Sequence, residues 1–394
     1  MDRNARLPRR QFLKHTASLG AGVAAGLAPG SASGASVARR MEAKPPAKPP
    51  LERRNEQPGL LYKRLGRTNM RLSALSFGGV QITPETMPVF EAGVQRGMNF
   101  VMAHSGRSAK VFGSWLKKKG SRQKIFLGLQ GTPRRLDQEL RLLNTDCVDL
   151  LMVANHNPQS VKSDELRKQF EAAKKAGKAR HLCLVFHSNL PAVWAAGVEA
   201  GWYDVLLSTY SLPSRADLKP LIPDAAKKDI GLLTMKVSRG TRKEADAIAA
   251  GKTVLADGIA SVLRTLRTPE QLAQWLRLAR QDDKAPPAKV AQLDMTGQCT
   301  LCGACAPCPG SVAIQDILRT YQYYAGDLND MEEAFRQYAA IPLEALASSC
   351  TDCGRCELAC PQELPIRRLI REAHFELELE LVHRHKPPRL PPRG

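Results

Sequence analysis

The sequence predicts an α/β fold: eight parallel strands alternating with helices in a TIM-type (β/α)8 barrel, followed by a smaller, mainly helical domain built around cysteines. Three observations predict it. Between Leu60 and about Gln281, short apolar runs alternate with stretches of helical periodicity, the pattern of repeated βα units around a parallel sheet. Eight such runs can be counted, which suits a closed barrel, although periodicity by itself leaves a doubly wound open sheet as the alternative. Eight of the ten cysteines crowd between Cys299 and Cys360, which is the clustering of ligands. At 394 residues the chain exceeds the usual ceiling for one core, and 43% hydrophobic with 24% charged residues is the balance of a folded globular protein.

The chain opens on Arg9-Arg10-Gln11-Phe12-Leu13-Lys14, then a mildly apolar, Ala- and Gly-rich stretch from about Ala17 to Ala28, then small residues from Ser31 to Ala38. This charged front, apolar middle and small-residue exit resemble a twin-arginine signal peptide over residues 1–38, too short and Gly-rich to span as a stable helix. The resemblance implies export as a folded protein, to the periplasm or the outer face of the cytoplasmic membrane, with the leader either cleaved or retained as a membrane tether. Pro8 stands where that pattern prefers Ser or Thr. Residues 39–59, with Pro45, Pro46, Pro49, Pro50 and Pro58 among charges, are expected to form an extended Pro-rich linker. Strands are expected at Ala74–Gly79, Phe100–Ala103, Ile125–Leu129, Leu150–Ala154, His181–Phe186, Val205–Ser208, Gly231–Lys236 and Ile259–Leu266. Helical periodicity marks Pro88–Arg96, Ser108–Lys119, Arg134–Leu143, Ser163–Ala176, Pro191–Ala200, Ala216–Lys228 and Pro269–Ala279, while the interval between Lys236 and Ile259 is weakly patterned. The barrel is placed at residues 60–284.

Several phrases in this stretch stand in a meaningful order. They are Tyr62-Lys63-Arg64-Leu65-Gly66-Arg67-Thr68, Leu72-Ser73-Ala74-Leu75-Ser76-Phe77-Gly78-Gly79, Gly97-Met98-Asn99-Phe100, Asp146-Cys147-Val148-Asp149-Leu150, Gly177-Lys178-Ala179-Arg180-His181 leading to Phe186-His187, Thr209-Tyr210-Ser211-Leu212 and Thr234-Met235-Lys236. In that order they resemble the aldo/keto reductase family, which implies the barrel rather than the open sheet. It also implies hydride transfer from a nicotinamide cofactor, NADP, to a carbonyl by an Asp, Tyr, Lys and His at strand ends. The sequence departs from that tetrad. After Phe100 it reads Val101-Met102-Ala103-His104-Ser105-Gly106, without the acid or the phenol; Gln130 stands where the Lys is expected; the His position falls on Ala154 or Asn155, with His156 close by. Arg264-Thr265-Leu266-Arg267-Thr268-Pro269-Glu270-Gln271-Leu272 keeps the register of the family's phosphate site without its usual lead-in, leaving Arg267 as the candidate cofactor contact. These departures argue against ordinary carbonyl reduction and against NADP.

A barrel's open end remains its default ligand site. Side chains expected there are His104, Gln130, His156, His187, Tyr210 and Lys236, with hydrogen-bonded structural histidines and a packing Tyr210 as the alternative. Cys147 and Cys183, in or beside apolar strands, read as small buried hydrophobes.

Cys299, Cys302, Cys305 and Cys308 form C-x2-C-x2-C-x2-C before Pro309; Cys350, Cys353, Cys356 and Cys360 form C-x2-C-x2-C-x3-C before Pro361. Thiolates so spaced can wrap an iron–sulfur cube, with Gly303, Ala304 and Gly354 letting backbone amides approach sulfur. Zinc and a disulfide framework are the competing readings. Two such runs resemble a bacterial-type ferredoxin carrying two 4Fe-4S clusters. In that arrangement the fourth Cys of each run serves the other cluster. The resemblance therefore implies Cys299, Cys302, Cys305 and Cys360 on one cluster and Cys308, Cys350, Cys353 and Cys356 on the other. Val312–Tyr324 and Asn329–Tyr338 read as helices within this 285–375 domain, and 376–394 as a basic, Pro-rich tail.

The formal charge of +20 favours anionic partners. Nucleic acid is disfavoured, because no binding motif is present and aromatics are only 5%. Two functions fit: an exported oxidoreductase that exchanges single electrons between a redox partner protein and an unidentified small-molecule substrate, or a non-catalytic barrel serving as a docking platform with electron-carrying or structural clusters.

Overall fold

The computed structural model describes residues 50–79, 82–104, 106–281, 293, 295, 297–322, 325 and 331–384. The expected leader, the first part of the linker and the last ten residues lie outside them. Ten strands are seen: β1 (Tyr62–Arg64), β2 (Arg71–Ser73), β3 (Leu75–Gly79), β4 (Phe100–His104), β5 (Phe126–Gln130), β6 (Val148–Ala154), β7 (Ala179–Phe186), β8 (Val205–Ser208), β9 (Gly231–Met235) and β10 (Ser261–Arg264). Strands β3 to β10 pair in chain order, all parallel, and β10 closes on β3 with Val262 opposite Leu75. The sheet is a closed barrel and not an open one.

Period-2 alternation sorts each strand's side chains into two layers. Phe100, Met102, Phe126, Leu150, Met152, Cys183, Val185, Val205, Leu207, Leu233, Met235 and Leu263 fill the interior. Val101, Leu127, Leu151, Leu184, Phe186, Leu206 and Val262 pack outward against the helices. The antiparallel hairpin β1–β2 plugs the bottom, sending Leu65, Met70 and Leu72 into the inner core. Its turn needs Gly66, whose φ is +45° and whose missing Cβ would sit 2.2 Å from the Gly231 nitrogen.

The helices follow the expected intervals with two differences. Ala216–Lys228 is not one helix but Arg215–Leu218, a 3-10 turn Lys219–Leu221 and Ile222–Lys227, because Pro220 and Pro223 interrupt the ladder. The weakly patterned interval forms the helix Glu244–Ala256. It buries Ala247, Ala249, Ala250, Gly251, Val254 and Leu255, which do not trace one stripe, so small residues hid its period.

The linker expectation is corrected for residues 52–57, which are pinned to the barrel's base. Arg54 donates to both carboxylate oxygens of Asp149 at 3.1 Å, Arg180 reaches Asp149 at 2.6 Å and Glu52 at 2.5 Å, and Arg122 pairs with Asp149 at 2.7 Å. Asn55 donates to the Val94 carbonyl at 2.6 Å. Composition marked these charges as unpackable, but a buried carboxylate collects them.

After the barrel come the helices Ile314–Thr320, Met331–Tyr338 and Ile366–Arg384. The last one corrects the expected tail at 376, since helix continues to Arg384. The described residues fall in one compact unit. Leu301, Ile317 and Leu318 belong to the same apolar layer as Phe186, Leu190 and Trp194.

Candidate functional site at the barrel mouth

The inward phase of three neighbouring strands decides the floor of the site. Counting from Phe100, Phe126 and Leu150, the next inward positions at the C-terminal strand ends are His104, Gln130 and Ala154, with His104 opposite Gln130 across the sheet. All three line a cavity of about 590 Å³ together with His156, His187, Lys236 and Arg267. Six of the seven side chains expected at the mouth or at a phosphate thus share one space. Tyr210 is the exception and is corrected: β8 faces Val205 and Leu207 inward, so Tyr210 falls on the outward phase, where it packs beside Trp194 and its hydroxyl donates to Asp257 at 2.8 Å.

The three histidines are neutral. Burial, reinforced by the charge of Arg336, lowers His104 to about 3. Burial and then Arg319 lower His156 to about 4, with Asp316 opposing. Burial followed by Lys236 and Arg319 carries His187 well below the ordinary value. The His187 amide donates to His156 Nδ1 at 3.1 Å, which leaves the His156 proton on Nε2. His104 Nε2 and His187 Nδ1 are buried and meet no hydrogen-bond partner among the described residues, and both residues line the cavity.

Against this neutral floor stands a cationic wall. Lys236, Arg239, Arg242, Lys243, Arg264 and Arg267 line the cavity, with Glu244 as the carboxylate among the lining residues. Arg264 lies over the Trp275 ring at 4.7 Å, donates to Ser238 at 3.0 Å and approaches Glu244 at 3.5 Å. Lys236 adopts a left-handed φ of +61°, an unfavourable conformation for a residue with a Cβ, at the point where β9 turns into the wall. Sequence reasoning missed Arg239, Arg242, Lys243 and Arg264. The signal was present in the basic run Arg239-Gly240-Thr241-Arg242-Lys243 directly after the seventh barrel strand.

The cavity's roof comes from the cysteine-rich segment, through Gln298 and Gln337. Contacts fix it there. The Asn189 amide donates to Gln315 Oε1 at 2.9 Å while Gln315 Nε2 donates to Asn189 Oδ1 at 2.6 Å. Ser188 donates to Asp316 at 3.0 Å, and Arg239 donates to the Cys299 carbonyl.

Beyond the roof the eight cysteines, all free thiols, ring two cavities. Cys299, Cys302, Cys305 and Cys360 line the one that includes Gln315, on the barrel side; Cys308, Cys350, Cys353 and Cys356 line the other, where Cys353 is exposed. Cys305 touches both. Among the described residues no three His, Cys, Asp or Glu converge on a point fit for a single metal ion. The two runs share a loop, Cys299-Thr300-Leu301-Cys302-Gly303 and Cys350-Thr351-Asp352-Cys353-Gly354. In both, φ is positive at the residue before the second cysteine and at the glycine after it: +63° and +92° in the first, +59° and +73° in the second. Such turns aim successive amides at an anionic centre, and the Leu301 amide donates to Cys299 Sγ at 3.4 Å. Burial, with added repulsion from neighbouring thiols, pushes Cys299 up to about 11 and Cys305 up to about 12, although the Leu301 amide and Arg239 pull Cys299 down. Closely packed, mostly half-buried thiols with amide-rich loops fit a metal cluster, whose positive iron would offset their charge.

Residues 295–364 match the family model of the 4Fe-4S dicluster domain. The sequence reading of iron–sulfur ligation over zinc or disulfides agrees with it. No curated protein matches the chain. Among solved structures, a protein described as an aldo-keto reductase from Pseudomonas aeruginosa is 22% identical, covering 57% of this chain and 96% of its own with a TM-score of 0.48. The holo form of an aldo-keto reductase from Bacillus halodurans is 16% identical, covering 56% and 90%, also at 0.48.

Proposed function

We propose that the protein is an exported iron–sulfur oxidoreductase. In this reading an anionic small molecule occupies the barrel mouth, and two 4Fe-4S clusters are held by the two thiol sets, one of them served by Cys299, Cys302, Cys305 and Cys360 and the other by Cys308, Cys350, Cys353 and Cys356. The observation that carries it is the shared boundary. The backbone that leads into Cys299 is also the roof of a cavity with six cationic side chains and three neutral imidazoles. When bound, clusters of this kind supply single electrons. The cationic wall orients the anion, the apolar side chains Met102, Met235 and Leu263 exclude water beneath it, and His156 presents an Nε2 proton. The exposure of Cys353 supports the outer set as the side that a redox partner protein approaches.

Ordinary nicotinamide-dependent carbonyl reduction is not the reaction in this reading. Gln130 and Ala154 occupy the strand ends where a lysine and a histidine would be needed, and among the described residues no side chain at the cavity floor is an acid paired with a phenol. The Arg9-Arg10 leader supports delivery across the cytoplasmic membrane with clusters already in place. Among the described residues no helix is long and apolar enough to cross a membrane.

The test is anaerobic purification with iron and sulfide analysis, followed by reduction monitored in the visible. About eight irons per chain are expected for two clusters, bleached by dithionite and not by NADPH. Zinc in place of iron refutes the cluster assignment. Bleaching by NADPH restores the nicotinamide reading of the barrel.

A further inference from the structure

One side chain belongs to both compartments. Arg239 lines the barrel-mouth cavity, is only 8% exposed, and donates from Nη2 to the main-chain carbonyl of Cys299, a member of the barrel-side thiol set. Its neighbours tighten the link. Gln298, adjacent to Cys299, lines the same cavity, and the Cys299 amide donates to Gln322 at 3.2 Å. Neither thiol cavity shares a lining residue with the barrel mouth; what singles out the barrel-side set is the Arg239 hydrogen bond to Cys299 and the adjacency of Gln298 to that cysteine.

We propose that Arg239 couples occupancy of the cavity by a small anion, one bearing a phosphate or carboxylate group, to the reduction potential of the barrel-side cluster alone. This rests on the iron–sulfur reading above. Reduction adds one negative charge to the cluster, which a buried guanidinium at its ligand favours, and the low-dielectric surroundings make that charge felt. An anion at the wall of the cavity draws on the same positive charge. It therefore lowers the potential, and by linkage the reduced protein binds the anion less tightly than the oxidised one, by the same factor. Delivery of an electron to the barrel side and retention of an anionic ligand oppose each other, so Arg239 is a positioning residue that times ligand release to reduction.

The experiment is a potentiometric titration of the full-length holoprotein, followed by electron paramagnetic resonance, in chloride buffer and with inorganic phosphate or malonate at matched ionic strength. Cys360→Ser and Cys308→Ser assign the two signals to the two thiol sets. The expected result is a lower midpoint potential for the barrel-side signal with increasing phosphate or malonate, the stronger of the two naming the ligand group, and an unmoved outer signal. In Arg239→Gln that potential is already low without phosphate and its phosphate dependence is lost; Arg239→Lys retains it. Equal shifts of both signals, or none while calorimetry shows phosphate or malonate bound, overturn the coupling and leave the oxidoreductase reading standing. Absence of phosphate and malonate binding overturns the anion cavity and the coupling together, and absence of cluster signals overturns the function itself. Should Arg239→Gln lose iron, the wild-type titration decides alone.

Discussion

Asp149 shows how much one residue can carry. It is fully buried, and burial alone would raise its pKa, but Arg122, Arg54, the Leu127 amide and Arg180 outweigh that and hold it below the usual carboxylate range. Asp149→Ala leaves three guanidinium groups around an empty centre, and a loss of about 3–5 kcal/mol is expected in chemical unfolding. His104 makes the opposite kind of prediction. Its folded pKa lies near 3 against 6.5 in the unfolded chain, so the unfolded state takes up a proton first as pH falls. Its share of stability is present above 6.5 and is lost steadily between about pH 6.5 and 3. In His104→Asn the fall in thermal midpoint between pH 7 and 5 should be shallower than in wild type; an unchanged slope would mean that His104 is already solvated.

Elements were legible in the sequence to the degree that a single period ruled them. The eight barrel strands show alternating or continuous apolar runs and fall within a few residues of their expected bounds. The same count of two, continued from Val205 through Leu207, would have turned Tyr210 away from the mouth, whereas reading it as a strand-end residue without its phase put it in the site. The helix Glu244–Ala256 was obscure because small side chains bury on several faces, and with it went the cationic run at its entrance, Arg239 to Lys243. The hairpin β1–β2 depends on a turn without room. In Gly66→Ala the new Cβ would meet backbone atoms of Asp229, Ile230 and Gly231 at 2.2–2.6 Å, so the hairpin must lift, costing about 1–3 kcal/mol in urea unfolding. A variant as stable as wild type would show that the plug is loosely seated.

At the scale of the molecule, pairing across the two cysteine runs was available only by resemblance, because spacing says which thiols are near one another in sequence and not which share a cavity. The fold crosses them: Cys360 stands with Cys299 and Cys302, and Cys308 with Cys350 and Cys353. Substitution of Cys360 by Ser should therefore abolish the same paramagnetic signal as Cys302→Ser and spare the one that Cys308→Ser abolishes. Loss of the Cys353-linked signal in Cys360→Ser would refute the crossing. The roof of the cavity could not be read from the sequence, since Gln298 and Gln337 lie far from the strands they cover and neither is distinctive in type.

The apolar layer that runs from Phe186 and Trp194 into Leu301 and Ile317 has a bearing on how the chain matures. A segment sharing its packing with the barrel is not expected to come apart quietly: stripping iron from the thiols should loosen Leu301 and, through it, the wall of the barrel. A calorimetric scan should show one endotherm for both parts, moved to lower temperature by chelation. Heat resistance of the barrel then becomes a report on its metal content, and a chain that never received its iron would declare itself by exposing oily surface to chaperones and proteases.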